Sequence, residues 1–175
     1  RMGTTIDGKV KDLIAKKGGF TMLIAGSNSD EQHIAALHAE LDRFLLPHDV
    51  AVSSAHKMPA RTEALVHAYN LLGSSMAFVT IAGGLDALSG TVSYAALNLT
   101  ISSPPEKFNT TCLQNPPGSS NIYIRSPGGV ARFLAKYYGG VNPVMRSIRE
   151  GHKTDALSES IPHEFRNSMQ ANTGC

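Results

Sequence analysis

His56 stands in the run Val52-Ser53-Ser54-Ala55-His56-Lys57-Met58-Pro59, where a short apolar stretch stops and a proline opens the next predicted helix. Imidazole has an ordinary pKa near neutrality, so it can take a proton and return it within one reaction. Ser54 and Lys57 add a hydroxyl and a cation to the same turn, groups suited to holding a phosphate. A lone histidine is more often a surface or packing residue. His33, His38, His48, His67, His152 and His163 fit that description, being spread along predicted helices or the tail with none paired at metal-ligand spacing. His56 differs in lying on a strand-to-helix turn, where functional groups concentrate.

Two further turns carry compatible chemistry. Gly26-Ser27-Asn28-Ser29-Asp30 offers backbone amides at a helix start, two hydroxyls and a carboxylate. Amides and hydroxyls of that kind hold phosphates, and Asp30 can accept hydrogen bonds from two hydroxyls of a ribose. The same residue types also serve a plain turn and helix cap. Ala82-Gly83-Gly84 gives a place where backbone can approach a flat ligand, because glycine carries no side chain. Asp86 and Ser89 are nearby polar groups. Gln114-Asn115-Pro116-Pro117-Gly118 reads either as a rigid loop overhanging a pocket or as an ordinary proline-rich connection.

The elements that must position these turns follow from apolar periodicity. Phe20 to Ala25 reads as a buried strand. In the helix that follows, Ile34, Leu37, Leu41 and Leu45 form one stripe, with Ser29 or Asp30 as cap and Pro47 as stop. A second strand, Asp49 to Ser53, precedes a helix from Pro59 to about Leu72 that carries Leu65 and Tyr69. The third strand, Met76 to Ala82, leads to a helix from about Ala87 to Leu97. Leu97 to Ile101 and Asn121 to Ile124 complete five strands, and Gly128-Gly129 opens a helix Val130 to Tyr138. Such alternation predicts a flavodoxin-like three-layer α/β sandwich, with a central parallel sheet, helices on both faces and a C-terminal helix. In such sheets ligands bind beyond the carboxyl ends of the strands, where every one of these turns falls.

The chain divides into an N-terminal extension, 1–19, an α/β domain, 20–140, and a C-terminal helix and tail, 141–175, expected to pack between subunits. Val144, Ile148 and Leu157 mark one side of the tail, and the segment after Ile161 lacks periodicity. Arg1, before Met2, reads as a residue added for expression. With 175 residues, 42% hydrophobic, 17% charged and a net charge of +2, the composition favours a small anionic ligand over nucleic acid. Cys112 and Cys175 form no paired pattern, which suits a reducing, cytoplasmic setting. No apolar run reaches a membrane span, and residues 1–19 lack a signal-peptide core.

The order of these motifs resembles the phosphoribosylaminoimidazole carboxylase family of purine biosynthesis, which includes the carboxyaminoimidazole ribonucleotide mutases. Gly26-Ser27-Asn28-Ser29-Asp30 is similar to the family's Gly-Ser-x-Ser-Asp, and Ser54-Ala55-His56-Lys57 to its Ser-Ala-His-Arg/Lys. Lys57, Ala87-Leu88-Ser89-Gly90 and Ser103-Pro104-Pro105 resemble the second class, which uses carbon dioxide directly. The resemblance implies that Ser27, Ser54 and Lys57 bind the ribotide phosphate and Asp30 the ribose. Ala82, Gly83 and Gly84 would hold the aminoimidazole and carbon dioxide, and His56 would move the C4 proton. It further implies a homo-oligomer, an octamer above others, and no metal or organic cofactor. Where the second class carries Arg-Ser-Asn this chain has Gly84-Leu85-Asp86, so an anion-repelling carboxylate is expected at the third turn. The loop between Pro105 and Gln114 is shorter than the family's. Other readings with the same fold are a carboxylase of another ribotide and a catalytically silent nucleotide binder.

Overall fold

Residues 20–25 and 76–81 form six-residue strands, Phe20–Ala25 (β1) and Met76–Ile81 (β3), in which every residue is buried. Side chains alternate along a strand, so each strand must feed two separate cores. Leu23, Ala25, Ala77, Val79 and Ile81 enter one, and Phe20, Met22, Ile24, Met76 and Phe78 the other. Helices therefore have to cover both faces. The structure, a computed structural model, describes residues 4–73, 75–147 and 150–151.

β1 pairs in parallel with His48–Val52 (β2) on one side and with β3 on the other. Beyond β3 lie Leu99–Ser102 (β4) and Ile122–Tyr123 (β5), also parallel, giving the order β2-β1-β3-β4-β5. Glu31–Arg43 (α2) and Pro127–Val141 (α5) cover the first face through Leu37, Leu41, Val130, Leu134 and Tyr138. Thr4–Lys17 (α1), Pro59–Asn70 (α3) and Ala87–Ala95 (α4) cover the second through Val10, Val66, Tyr69, Leu88 and Val92. Fully burying a side chain of this size contributes about 1.5–3 kcal/mol, so the two cores carry most of the stability. The three-layer parallel sandwich expected from the sequence is the observed architecture.

Several boundaries differ, each for a local reason. α2 ends at Arg43 rather than Pro47 because Leu45 takes a left-handed φ of 56°, which turns Leu45 outward and lets Leu46 N–H bond Leu41 O at 2.9 Å. Leu45 consequently leaves the apolar stripe and is half exposed. The fourth strand starts at Leu99, since α4 stops at Ala95 and Asn70 holds Leu97 N–H outside the sheet. The last helix begins at Pro127, capped by Ser126, and absorbs both glycines. α1 was not legible as an element. The tail's Met145 is buried in the chain's own first core, and residues 143–147 are helical. Ile148, Leu157, the segment after Ile161, His152, His163 and Cys175 lie outside the described residues.

The edge strand β2 is joined to α2 by a histidine pair, His38 Nδ1 to His48 Nε2 at 2.6 Å. Leu46 O accepts from His48 Nδ1–H at 2.8 Å, so in the neutral pair His38 donates and His48 accepts. Burial first, and then His48, hold His38 below the ordinary histidine value of 6.5. The unfolded chain therefore binds this proton at a higher pH than the folded one. Stability is full above about pH 6.5 and declines as pH falls toward the lower folded value. We expect the thermal midpoint to drop between pH 7 and 5, and His38→Gln to flatten that drop; an identical slope in the variant would remove His38 as its source.

Candidate functional site

Three turns meet at the carboxyl edge of β1, β2 and β3. Gly26 N–H bonds Ile81 O at 2.9 Å and Ser53 N–H bonds Ala25 O at 2.8 Å, so the three strand ends are tied before the turns begin. In the first turn Ser27 is extended and caps a 3-10 turn, Asn28–Asp30, accepting from Ser29 N–H at 3.2 Å and the Ser29 hydroxyl at 3.1 Å. α2 continues directly from Glu31, and Asp30 makes no capping bond. This helix start thus lies at the edge where ligands bind in a parallel sheet.

The second turn is held from beneath. Ser54 Oγ accepts from Lys57 N–H at 3.3 Å and Ser54 O from Met58 N–H at 2.8 Å. Thr62 Oγ1 donates to Met58 O, so the buried Ser53 hydroxyl donates to Thr62 across 2.8 Å. Those bonds fix the backbone at both ends of the turn and leave His56 exposed at its tip. In the third turn Gly84 takes a φ of +68°, a left-handed conformation that favours glycine. Asn109 Nδ2 donates to Ala82 O at 3.3 Å and Gly84 O at 2.7 Å, clamping the loop after β4 onto this turn.

Between them lies a cavity of about 280 Å³. Gly26, Ser27, Ser29 and Asp30 line it from the first turn, Ser54, Ala55 and His56 from the second, and Ala82 and Gly83 from the third. Leu85, Ala87 and Leu88 supply an apolar wall, and Glu106 a second carboxylate. The sheet order places this cavity across β1 and β3, where the strand order reverses, the position at which open α/β sheets bind ligands. Among the described residues the lining contains no lysine or arginine. Burial raises the pKa of Asp30, with His33 opposing and Glu106 adding to the rise. His33 is itself held low, by burial first and then by Arg125. Its Nε2 lies 3.0 Å from Ser103 Oγ, whose proton goes to Arg125 O, so His33 donates from Nε2.

Lys57, Gly84 and Ser89 do not line the cavity. Lys57 is exposed beyond the turn. Gly84 gives its carbonyl to Asn109, and Ser89 is fully buried, accepting from Asn115 Nδ2 at 3.0 Å. Asp86 does not project a repelling charge into the cleft. It caps α4, accepting from Ser89 N–H at 2.8 Å, and is almost fully buried. Burial raises its pKa despite these helix-start amides. Gln114 to Gly118 does not overhang the cavity, because Asn115 turns inward toward Ser89, Cys112 O and Asn121. Glu106 and Leu85 were missed in the sequence. Pro104-Pro105 directly after a strand was the available signal for Glu106, since it stiffens a loop at the ligand edge.

Fold and cleft together define a class: an open parallel α/β protein whose small-ligand pocket joins helix-start amides, hydroxyls and one histidine. The chain belongs to the AIR carboxylase family, whose profile matches residues 21–121. It is 28% identical over 125 residues to a phosphoribosylaminoimidazole carboxylase of Treponema denticola, covering 68% of this chain and 79% of that protein. A protein of the same name from Archaeoglobus fulgidus is 32% identical over 122 residues, covering 67% of this chain and 62% of its own length. The crystal structure of Treponema denticola PurE superposes with a TM-score of 0.68 at 24% identity, over 80% of this chain and 93% of that one, and supports the fold.

The geometry separates the third turn's carboxylate from the ligand. Asp86→Ala is expected to lower stability by about 1 kcal/mol, the usual cost of a lost helix cap, while ligand affinity stays unchanged. A gain in affinity for an anionic ligand would show instead that Asp86 acts on the cleft.

Proposed function

We propose that this chain interconverts aminoimidazole ribonucleotide plus carbon dioxide with 4-carboxyaminoimidazole ribonucleotide in purine biosynthesis. The observation that carries the reading is His56 in one cavity with the Gly26–Asp30 and Ala82–Gly83 turns, in a chain of the AIR carboxylase family. Helix-start amides and the Ser27, Ser29 and Ser54 hydroxyls hold the phosphate. Asp30 takes the ribose hydroxyls, and Ala82 and Gly83 let the flat ring approach the backbone. Ala82, Ala87 and Leu88 form an apolar wall suited to uncharged carbon dioxide. C4 of the electron-rich ring attacks carbon dioxide, forming the carbon–carbon bond, and the C4 proton passes to the His56 imidazole. In reverse, His56 returns the proton to C4 and carbon dioxide leaves. Positioning two small reactants removes much of the entropic barrier, and one acid–base group supplies the proton step.

Neither a metal nor an organic cofactor is required by this chemistry. Lys57, one residue beyond His56, serves as a second-rank phosphate contact through its flexible stem. A cytoplasmic location fits the reaction, and no helix among the described residues is long and apolar enough to cross a membrane. Leu71, Leu85, Tyr94, Leu97 and Phe108 are each more than 70% exposed, an unusual load of apolar surface that supports a homo-oligomer. An octamer is proposed, and light scattering should give eight times the chain mass; a monomer would remove it.

The activity is tested by following the ultraviolet absorbance of 4-carboxyaminoimidazole ribonucleotide during decarboxylation. His56→Asn is expected to slow turnover by about 10²–10⁴-fold, the range for loss of a positioned acid–base group, with ligand affinity retained. No turnover by the well-folded parent would transfer the proposal to another ribotide or to a silent binder.

A further inference from the structure

Glu106 reaches the cavity from a loop that is fixed on both sides. Arg125 Nη2 donates to Pro105 O at 3.2 Å immediately before it, and Asn109 N–H, three residues on, bonds Glu106 O at 3.3 Å. Asn109 is buried and its amide holds the carbonyls of Ala82 and Gly84, the two residues that bracket Gly83. The backbone that carries Glu106 is thus stitched to the third turn.

Gly83 measures where the two carboxylates meet. A side chain begun at Gly83 would have Asp30 Oδ1 at 3.6 Å and Glu106 Oε1 at 3.6 Å, so both oxygens border one small volume that the absent side chain leaves open. Two carboxylates with no lysine or arginine in the lining are acceptors only. They favour a ligand that brings hydroxyl donors to the two carboxylates and keeps its own negative charge away from them, toward the Ser27 and Ser54 hydroxyls. A vicinal diol carries two such donors side by side.

We infer that Glu106 is a specificity-determining residue, sharing the ribose diol with Asp30 across Gly83 and making the cleft select ribose phosphates over 2-deoxyribose phosphates. This rests on the ribotide reading of the cleft, though not on turnover. A deoxyribose leaves one carboxylate without a donor in a partly desolvated space, and that mismatch discriminates more sharply than the lost contact alone.

The test uses the full chain with ribose 5-phosphate and 2-deoxyribose 5-phosphate in calorimetric titrations. The parent should bind the ribose form at least about tenfold more tightly, the size expected for one charge-assisted hydrogen bond. Glu106→Ala should bring the two affinities close to parity, mainly by weakening the ribose form. Glu106→Gln, which keeps a carbonyl acceptor at the same reach, should recover part of the preference. An unchanged preference in Glu106→Ala would overturn the role of Glu106 while leaving the ribotide cleft in place. Equal binding of both sugars by the parent would also overturn it, and binding of neither would overturn the cleft reading itself.

Discussion

The pairing of β1 with β3 is the constraint on which the rest depends. Both strands are buried on both faces, so neither can shift register by one residue without exchanging its two sets of side chains between cores. Phe20 is aligned with Met76 and Ala25 with Ile81, and the strands therefore end together. α5 anchors the start of β1: the Tyr138 hydroxyl donates to Phe20 O at 2.6 Å and receives the Thr21 hydroxyl proton at 2.7 Å. Burial lifts the Tyr138 pKa far above its ordinary value, so the phenol remains a donor throughout the physiological range. Because the pair ends flush, the turns that follow it begin at one level, and a cavity forms between them without a dedicated domain.

Electrostatics then decide what that cavity can hold. Phosphate sites commonly rely on lysine or arginine, yet this lining combines hydroxyls and helix-start backbone with the carboxylates of Asp30 and Glu106. The arrangement favours a polarised ligand, anionic at one end and rich in hydroxyl donors at the other. Asp86, which from its place in the chain could have added a third charge, is spent on capping α4 instead. Its burial behind Ser89 and Thr111 explains how a carboxylate can follow the third turn without closing the cleft to anions.

Most of the fold was legible because β1, β3 and their helices carry strong local patterns: continuous apolar runs of strand length, three- and four-residue stripes, and a proline at the first turn of α3. His56 was legible for a related reason, since its turn is defined by its neighbours in the chain. What the sequence could not express were relations between distant residues. Glu106 reaches Gly83 only because Asn109 binds the third turn, and His38 meets His48 only because α2 folds back over β2. α1 was missed because its periodic residues, Val10, Leu13 and Ile14, are few and surrounded by polar ones, so that packing on β1 rather than local pattern settles its place. In the sequence Ser89 and Asp86 look like site residues because a helix cap and a ligand contact use the same polar side chains.

The central claim is that the three turns form one ribotide site around His56. The most direct measurement is a crystal structure of His56→Asn soaked with 4-carboxyaminoimidazole ribonucleotide. The account predicts the phosphate against the Ser27 and Ser29 turn, the ribose between Asp30 and Glu106, and the ring carbon C4 facing residue 56. Ligand bound outside the three turns, or with its phosphate at Glu106, would contradict it.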